Sequence, residues 1–168
     1  MAHSIAILDD YQSVAFELAD WSQITADSNN KIQVFTTVIP EIQLIETLHG
    51  FDVLVTMRER TPFSRRILEK LPNLRHISTT GMRNRGIDLE ACRELGIVVS
   101  GTLSSANAAS GTVEQTWALT LALSRRLILE RDEVRRGGWQ SGIATGLKGK
   151  RLGLVGCVRP LVRNATES

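Results

Sequence analysis

Short, mostly apolar runs alternate with stretches whose apolar positions recur every three to four residues through the first hundred positions. The runs at 4–8, 32–35, 52–56, 75–78 and 97–100 read as five strands. A helix is expected over 14–21. Pro40 opens the next as a good first-turn residue, with Ile42, Leu44, Ile45 and Leu48 as its apolar face. Ser64 is placed to cap a third helix, where Ile67, Leu68 and Leu71 face inward before Pro72 stops it. Asp88 caps a fourth over 89–95, and Gly96 ends it.

Strands separated by helices predict a parallel sheet covered on both faces, an α/β domain of flavodoxin-like or Rossmann-like layering. Ligands of such sheets sit beyond the carboxyl ends of the strands. The loops at 9–10, 57–61, 79–84 and 101–107 therefore form the expected functional edge.

After a loop rich in Ser and Ala, a long helix is expected over 111–136. Thr112 and Gln115 fit a capping box, with Ser110 as the alternative cap. The segment 117–123 is apolar nearly all round and should be buried on several sides. Gly137-Gly138 ends the helix, 137–150 reads as a loop, and 149–156 reads as a sixth strand in a second domain. That strand ends at Gly156, where a dinucleotide-binding turn would begin. A G-x-G-x-x-G fingerprint needs glycine at 158 and 161, and the chain has Val158 and Leu161 with Pro160 between. The organisation expected is 1–107 as a first domain, 108–156 as a linking helix and the start of a second, and 157–168 as a disordered tail.

Net charge is +2, too small to argue for nucleic acid or an anionic membrane. No apolar run reaches bilayer length, and Asp9 and Asp10 interrupt the only candidate leader. Cys92 and Cys157 lie in different segments and read as free thiols, so a cytoplasmic protein is expected.

Paired acids at 9–10 raise a phosphoacceptor alternative. It fails because Thr56-Met57 and Ser100-Gly101 stand where that chemistry needs Asp and Lys. The simpler expectation is that these acids solvate a loop and cap a helix. Arg58 and Arg60 follow the third strand, and a guanidinium matches a carboxylate bidentately. Thr79-Thr80-Gly81-Met82 follows the fourth, where successive N–H groups can form an anion-binding nest. Glu114 suits the positive end of a helix. His3, His49 and His76 have no metal-pair spacing, so no metal site is expected.

Together these segments resemble the D-isomer-specific 2-hydroxyacid dehydrogenases, the phosphoglycerate dehydrogenase-like family. The resemblance is carried by Met57-Arg-Glu-Arg-Thr-Pro62, Leu71-Pro-Asn-Leu74, Thr80-Gly-Met-Arg-Asn84, Gly86-Ile-Asp-Leu89, Gly96-Ile97, Thr112-Val-Glu-Gln-Thr-Trp-Ala-Leu119, Arg135-Arg-Gly-Gly-Trp-Gln140 and Leu147-Lys-Gly-Lys-Arg-Leu-Gly-Leu-Val-Gly156. It implies a substrate ("catalytic") domain and an NAD-binding domain, moving hydride between a nicotinamide and a 2-hydroxy or 2-oxo acid. By position, Arg58 lies near the substrate carboxylate, and Gly81 and Met82 line substrate and nicotinamide. Thr112, Val113 and Gly156 face the NAD or NADP cofactor, and the helix over 111–136 links domains and pairs subunits as a homodimer.

The family's catalytic Arg, its His and the acid paired with that His have no counterpart in the sequence, so no catalytic residue is assigned. Loose cofactor binding and no turnover are expected of these 168 residues. The alternative is a non-catalytic fragment that binds a carboxylate or dimerises. The match stops abruptly after Gly156, which suggests a frameshift or an intron read as coding sequence.

Overall fold

The computed structural model describes residues 2–27, 29–103 and 108–153, with side chains at 108–110 excepted. Backbone packing divides the chain into two units, Met1–Leu103 and Ser104–Ser168.

The first unit is a five-stranded, all-parallel sheet in the order β2-β1-β3-β4-β5. Its strands are β1 (Ser4–Ile7), β2 (Lys31–Val34), β3 (Val53–Thr56), β4 (His76–Thr79) and β5 (Val98–Gly101). Each lies within about a residue of the run that predicted it. The register sets Ala6 beside Leu54 and Leu54 beside Ile77, so one face presents a continuous apolar row. Against that row pack α3 (Glu41–Leu48), α4 (Arg65–Leu68) and α5 (Leu89–Glu94) through Leu44, Leu48, Ile67, Leu68, Ala91 and Cys92. Burial pushes the Cys92 thiol up, which suits an inert core residue.

Local end signals act where expected at α5. Asp88 Oδ1 accepts from the Ala91 N–H at 2.9 Å, and Gly96 takes the left-handed conformation that closes the helix. Elsewhere the expectations need correction. The helix expected over 14–21 shrinks to one turn, α1 (Ala15–Leu18), ended by extended Ala19, and a second turn the sequence did not predict, α2 (Ser22–Thr25), follows it. Pro40 is the N-cap of α3, and Ile42 is 90% exposed, so the apolar face narrows to Leu44, Ile45 and Leu48. Ser64 holds the extended N-cap backbone of α4 but makes no side-chain capping bond.

On the other face of the sheet Ile5, Val53 and Val55 line a cavity of about 590 Å³ beside Trp21 and Ile24. Only the short α1–α2 segment contributes helical cover to that cavity.

In the second unit the expected long helix is two helices, α6 (Ala108–Ser124) and α7 (Leu127–Arg135). They break at Arg126, which is left-handed at φ 57°. Several bonds hold the break. The Thr145 N–H takes the Ser124 carbonyl at 2.8 Å, and Arg126 pairs with Glu130. Glu130 also accepts from the Ser141 N–H and hydroxyl; with Arg126 these hold its carboxyl below the usual range.

Because α6 starts at Ala108, Thr112 lies within it rather than capping it, and its carbonyl accepts from the Thr116 hydroxyl. The expected burial of 117–123 is not found either. Trp117, Leu119, Leu121 and Leu123 are all exposed, because this nearly all-round apolar segment meets too few partners among the described residues to cover it. Residues 137–150 form the expected irregular loop. Residues 151–153 carry no strand pairing, and the rest of the expected sixth strand, with Gly156 and the tail, lies outside the described residues.

Candidate functional site

The carboxyl ends of β1, β3, β4 and β5 bring together the loops that the sequence placed there. Asp9, after β1, has a left-handed backbone at φ 61° and is buried. This corrects the expectation of a solvated acid, and the reason is Thr61, whose hydroxyl donates to Asp9 Oδ2 at 2.9 Å. Asp10 does cap, accepting from the N–H groups of Val14 and Ala15 at 3.0 Å each. A Thr61→Val substitution keeps the shape of the side chain and removes the donor. It is expected to cost about 1–3 kcal/mol, read as a lower urea midpoint, because it leaves a buried carboxyl group without that partner.

Two arginines follow β3, and the structure separates their roles. The Arg60 guanidinium lies 4.2 Å from the Tyr11 ring centroid and bonds the Tyr11 hydroxyl. Arg58 turns the other way. Its Nη1 comes within 3.5 Å of the point where a Cβ would stand on Gly81. Arg58 itself is left-handed at φ 48°, a conformation that costs a non-glycine residue about 1–3 kcal/mol.

The loop after β4 is built differently from the expected nest. The Thr80 N–H donates to the Thr56 carbonyl at 3.1 Å, and the Gly81 N–H donates to the Thr102 hydroxyl at 2.9 Å. Both donors are spent on the protein. The Met82 N–H has no acceptor among the described residues. Met82 is exposed, and where the loop after β4 approaches β5 a cavity of about 620 Å³ is lined by Met82, Arg83, Asn84, Arg85, Ile87, Val99 and Gly101, and not by Arg58 or Gly81. Gly101 permits this approach: a Cβ there would stand 2.6 Å from the Gly81 carbonyl oxygen.

Sequence reasoning did not single out Asn84, Gly101 or Thr102. Their signals were a position in loops at the carboxyl edge and, for Asn84, a place in the Thr80-Gly-Met-Arg-Asn84 segment that carries the family resemblance. Of the residues assigned to a cofactor, Met82 lies at this edge. Thr112 sits within α6 and Val113 is buried, so neither stands in an open loop, and Gly156 lies outside the described residues. Among the described residues no group of His, Cys, Asp and Glu could hold a metal ion, and no helix is long and apolar enough to cross a membrane.

A parallel sheet in this order is that of a flavodoxin-like α/β unit, a class whose ligands bind beyond the carboxyl ends of the strands. The sequence model of the D-isomer specific 2-hydroxyacid dehydrogenase catalytic domain matches residues 5–118, and the chain belongs to that family. It is 33% identical over 132 residues to a D-3-phosphoglycerate dehydrogenase of Methanocaldococcus jannaschii, covering 77% of this chain and 24% of the relative. It is 32% identical over 126 residues to a glyoxylate reductase of Thermococcus litoralis, covering 70% and 37%. A crystal structure of a phosphoglycerate oxidoreductase from Vibrio cholerae o395 superimposes with a TM-score of 0.80 at 35% identity, over 97% of this chain and 51% of that one. The chain thus spans about half the length of these relatives, or less.

Proposed function

We propose that the first unit is the substrate side of an NAD(P)-dependent oxidoreductase acting on 2-hydroxy or 2-oxo acids, and that Arg58 anchors the substrate carboxylate. The observation that carries this reading is the Arg58 guanidinium held over Gly81, beside a Met82 N–H that has no acceptor among the described residues, at the edge where ligands of such sheets bind. A planar guanidinium offers two parallel donors to a carboxylate, and Met82 offers a third from the backbone. Anchoring the carboxylate there presents the neighbouring 2-carbon to whatever lies across the edge.

The residues described toward the cofactor do not form a dinucleotide cradle. Thr112 is helical and Val113 buried, and the sequence puts Val158 and Leu161 where the fingerprint needs glycine. We propose that the 168-residue polypeptide alone gives no turnover, lacking in its sequence the residues that would polarise the carbonyl and supply the proton. The expected result is no NADH or NADPH oxidation with glyoxylate, pyruvate or hydroxypyruvate. A protein-dependent rate with any of them would contradict it.

A second reading, a dimerising fragment, is favoured by one observation: the exposed apolar residues Trp117, Leu119, Leu121 and Leu123 of α6. Light scattering separates the outcomes, since a monodisperse dimer supports it and a stable monomer does not.

A further inference from the structure

We infer that Asn84, with Thr80, is the positioning residue that holds Arg58 in its left-handed turn and so aims the guanidinium over Gly81. The inference rests on the proposed role of Arg58. Its starting point is that a non-glycine residue at φ 48° persists only where its surroundings over-determine it. Here both backbone polar groups of Arg58 are captured by side chains of the loop after β4. The Arg58 N–H donates to Thr80 Oγ1 at 3.0 Å. The Arg58 carbonyl accepts from Asn84 Nδ2 at 2.6 Å.

Asn84 makes three of the four hydrogen bonds open to its amide, with both Nδ2 donors in use. Nδ2 also donates to the Thr79 hydroxyl at 2.9 Å, and Oδ1 accepts from the Gly86 N–H at 2.8 Å. The Gly86 N–H can only donate, so the oxygen must face it and the NH₂ must face Arg58. Gly86 leaves room for this: a Cβ there would stand 3.1 Å from Asn84 Oδ1. One half-buried amide thus ties the turn after β3 to the end of β4 and to the chain beyond it. Neither bond involves the Arg58 side chain, so Asn84 acts on the guanidinium only through the backbone.

Asn84→Asp tests this with little change of shape. The Gly86 N–H keeps its acceptor, while the Arg58 carbonyl and the Thr79 hydroxyl lose their donor. Thr80→Val removes the other capture, and Thr80→Ser restores it. The readouts, on the full 168-residue chain, are the Arg58 amide-to-Hα coupling with its carbon shifts, and titration with oxamate, an unreactive 2-oxo acid mimic. Both Asn84→Asp and Thr80→Val are expected to move Arg58 out of the left-handed range and to weaken oxamate by about tenfold or more, as misplacement of a binding group does. Thr80→Ser is expected to restore both. Should one variant fail to fold, the other decides. An Arg58 coupling that stays left-handed overturns the inference, and so does oxamate affinity within twofold of the unsubstituted chain. If the unsubstituted chain takes no oxamate, the carboxylate reading fails, and the Arg58 coupling alone decides the positioning role.

Discussion

Replacing Phe63 by alanine is expected to lower the stability of the sheet unit by about 3–5 kcal/mol, the usual cost of deleting a buried aromatic ring. Phe63 has no exposed surface. It also sits in a short parallel bridge with Ile87: its N–H donates to the Gly86 carbonyl at 2.7 Å, and its carbonyl accepts from the Asp88 N–H at 3.0 Å. The ring therefore anchors both loops that flank the candidate site. Against a total stability of about 5–15 kcal/mol for a typical domain, this loss is a large fraction. Urea unfolding followed by circular dichroism gives the measurement. A midpoint unchanged from the unsubstituted chain would show that the ring is not the anchor described.

The second large effect is expected at Gly101. The Cβ of an alanine there would stand 2.6 Å from the Gly81 carbonyl oxygen and 3.1 Å from the Met82 Cα. Both are backbone atoms, so no side chain can swing away. The Gly81–Met82 turn must shift or β5 must leave its register with β4, where Gly101 pairs with Thr79. Overpacking of this kind costs about 1–3 kcal/mol. The expected result of Gly101→Ala is therefore a double loss, of stability and of oxamate binding. Gly96→Ala provides the contrast: it strains a left-handed helix end but meets nothing within 4 Å, so it should lower stability and leave binding intact.

What could be seen beforehand follows the range of the interactions. Strand positions, the Asp88 cap and the Gly96 stop are local, each set by residues a few positions apart, and the sequence displayed them. The break at Arg126 was hidden because its supports are not local. Nothing in an arginine announces a left-handed turn, and Thr145, which takes the freed carbonyl, lies some twenty positions on. The site divides the same way. Arg58 and Gly81 were visible because each residue type carries its own chemistry. Asn84 was visible only as part of the Thr80-Gly-Met-Arg-Asn84 segment, and its role was not, because that role rests on a bond reaching from residue 84 back to residue 58. The nest expected at 80–81 failed for a related reason: Thr56 and Thr102 reach in and use both donors. The exposure of α6 was likewise beyond pattern reading, since periodicity reports which residues are apolar and not what is present to cover them.

Titration of the isotopically labelled chain with oxamate, followed by backbone amide shifts, addresses the proposed carboxylate anchor most directly. The account predicts a saturable response confined to Arg58, Gly81, Met82 and their neighbours, and its loss in Arg58→Ala. No response at those amides, or an undiminished one in Arg58→Ala, would contradict it.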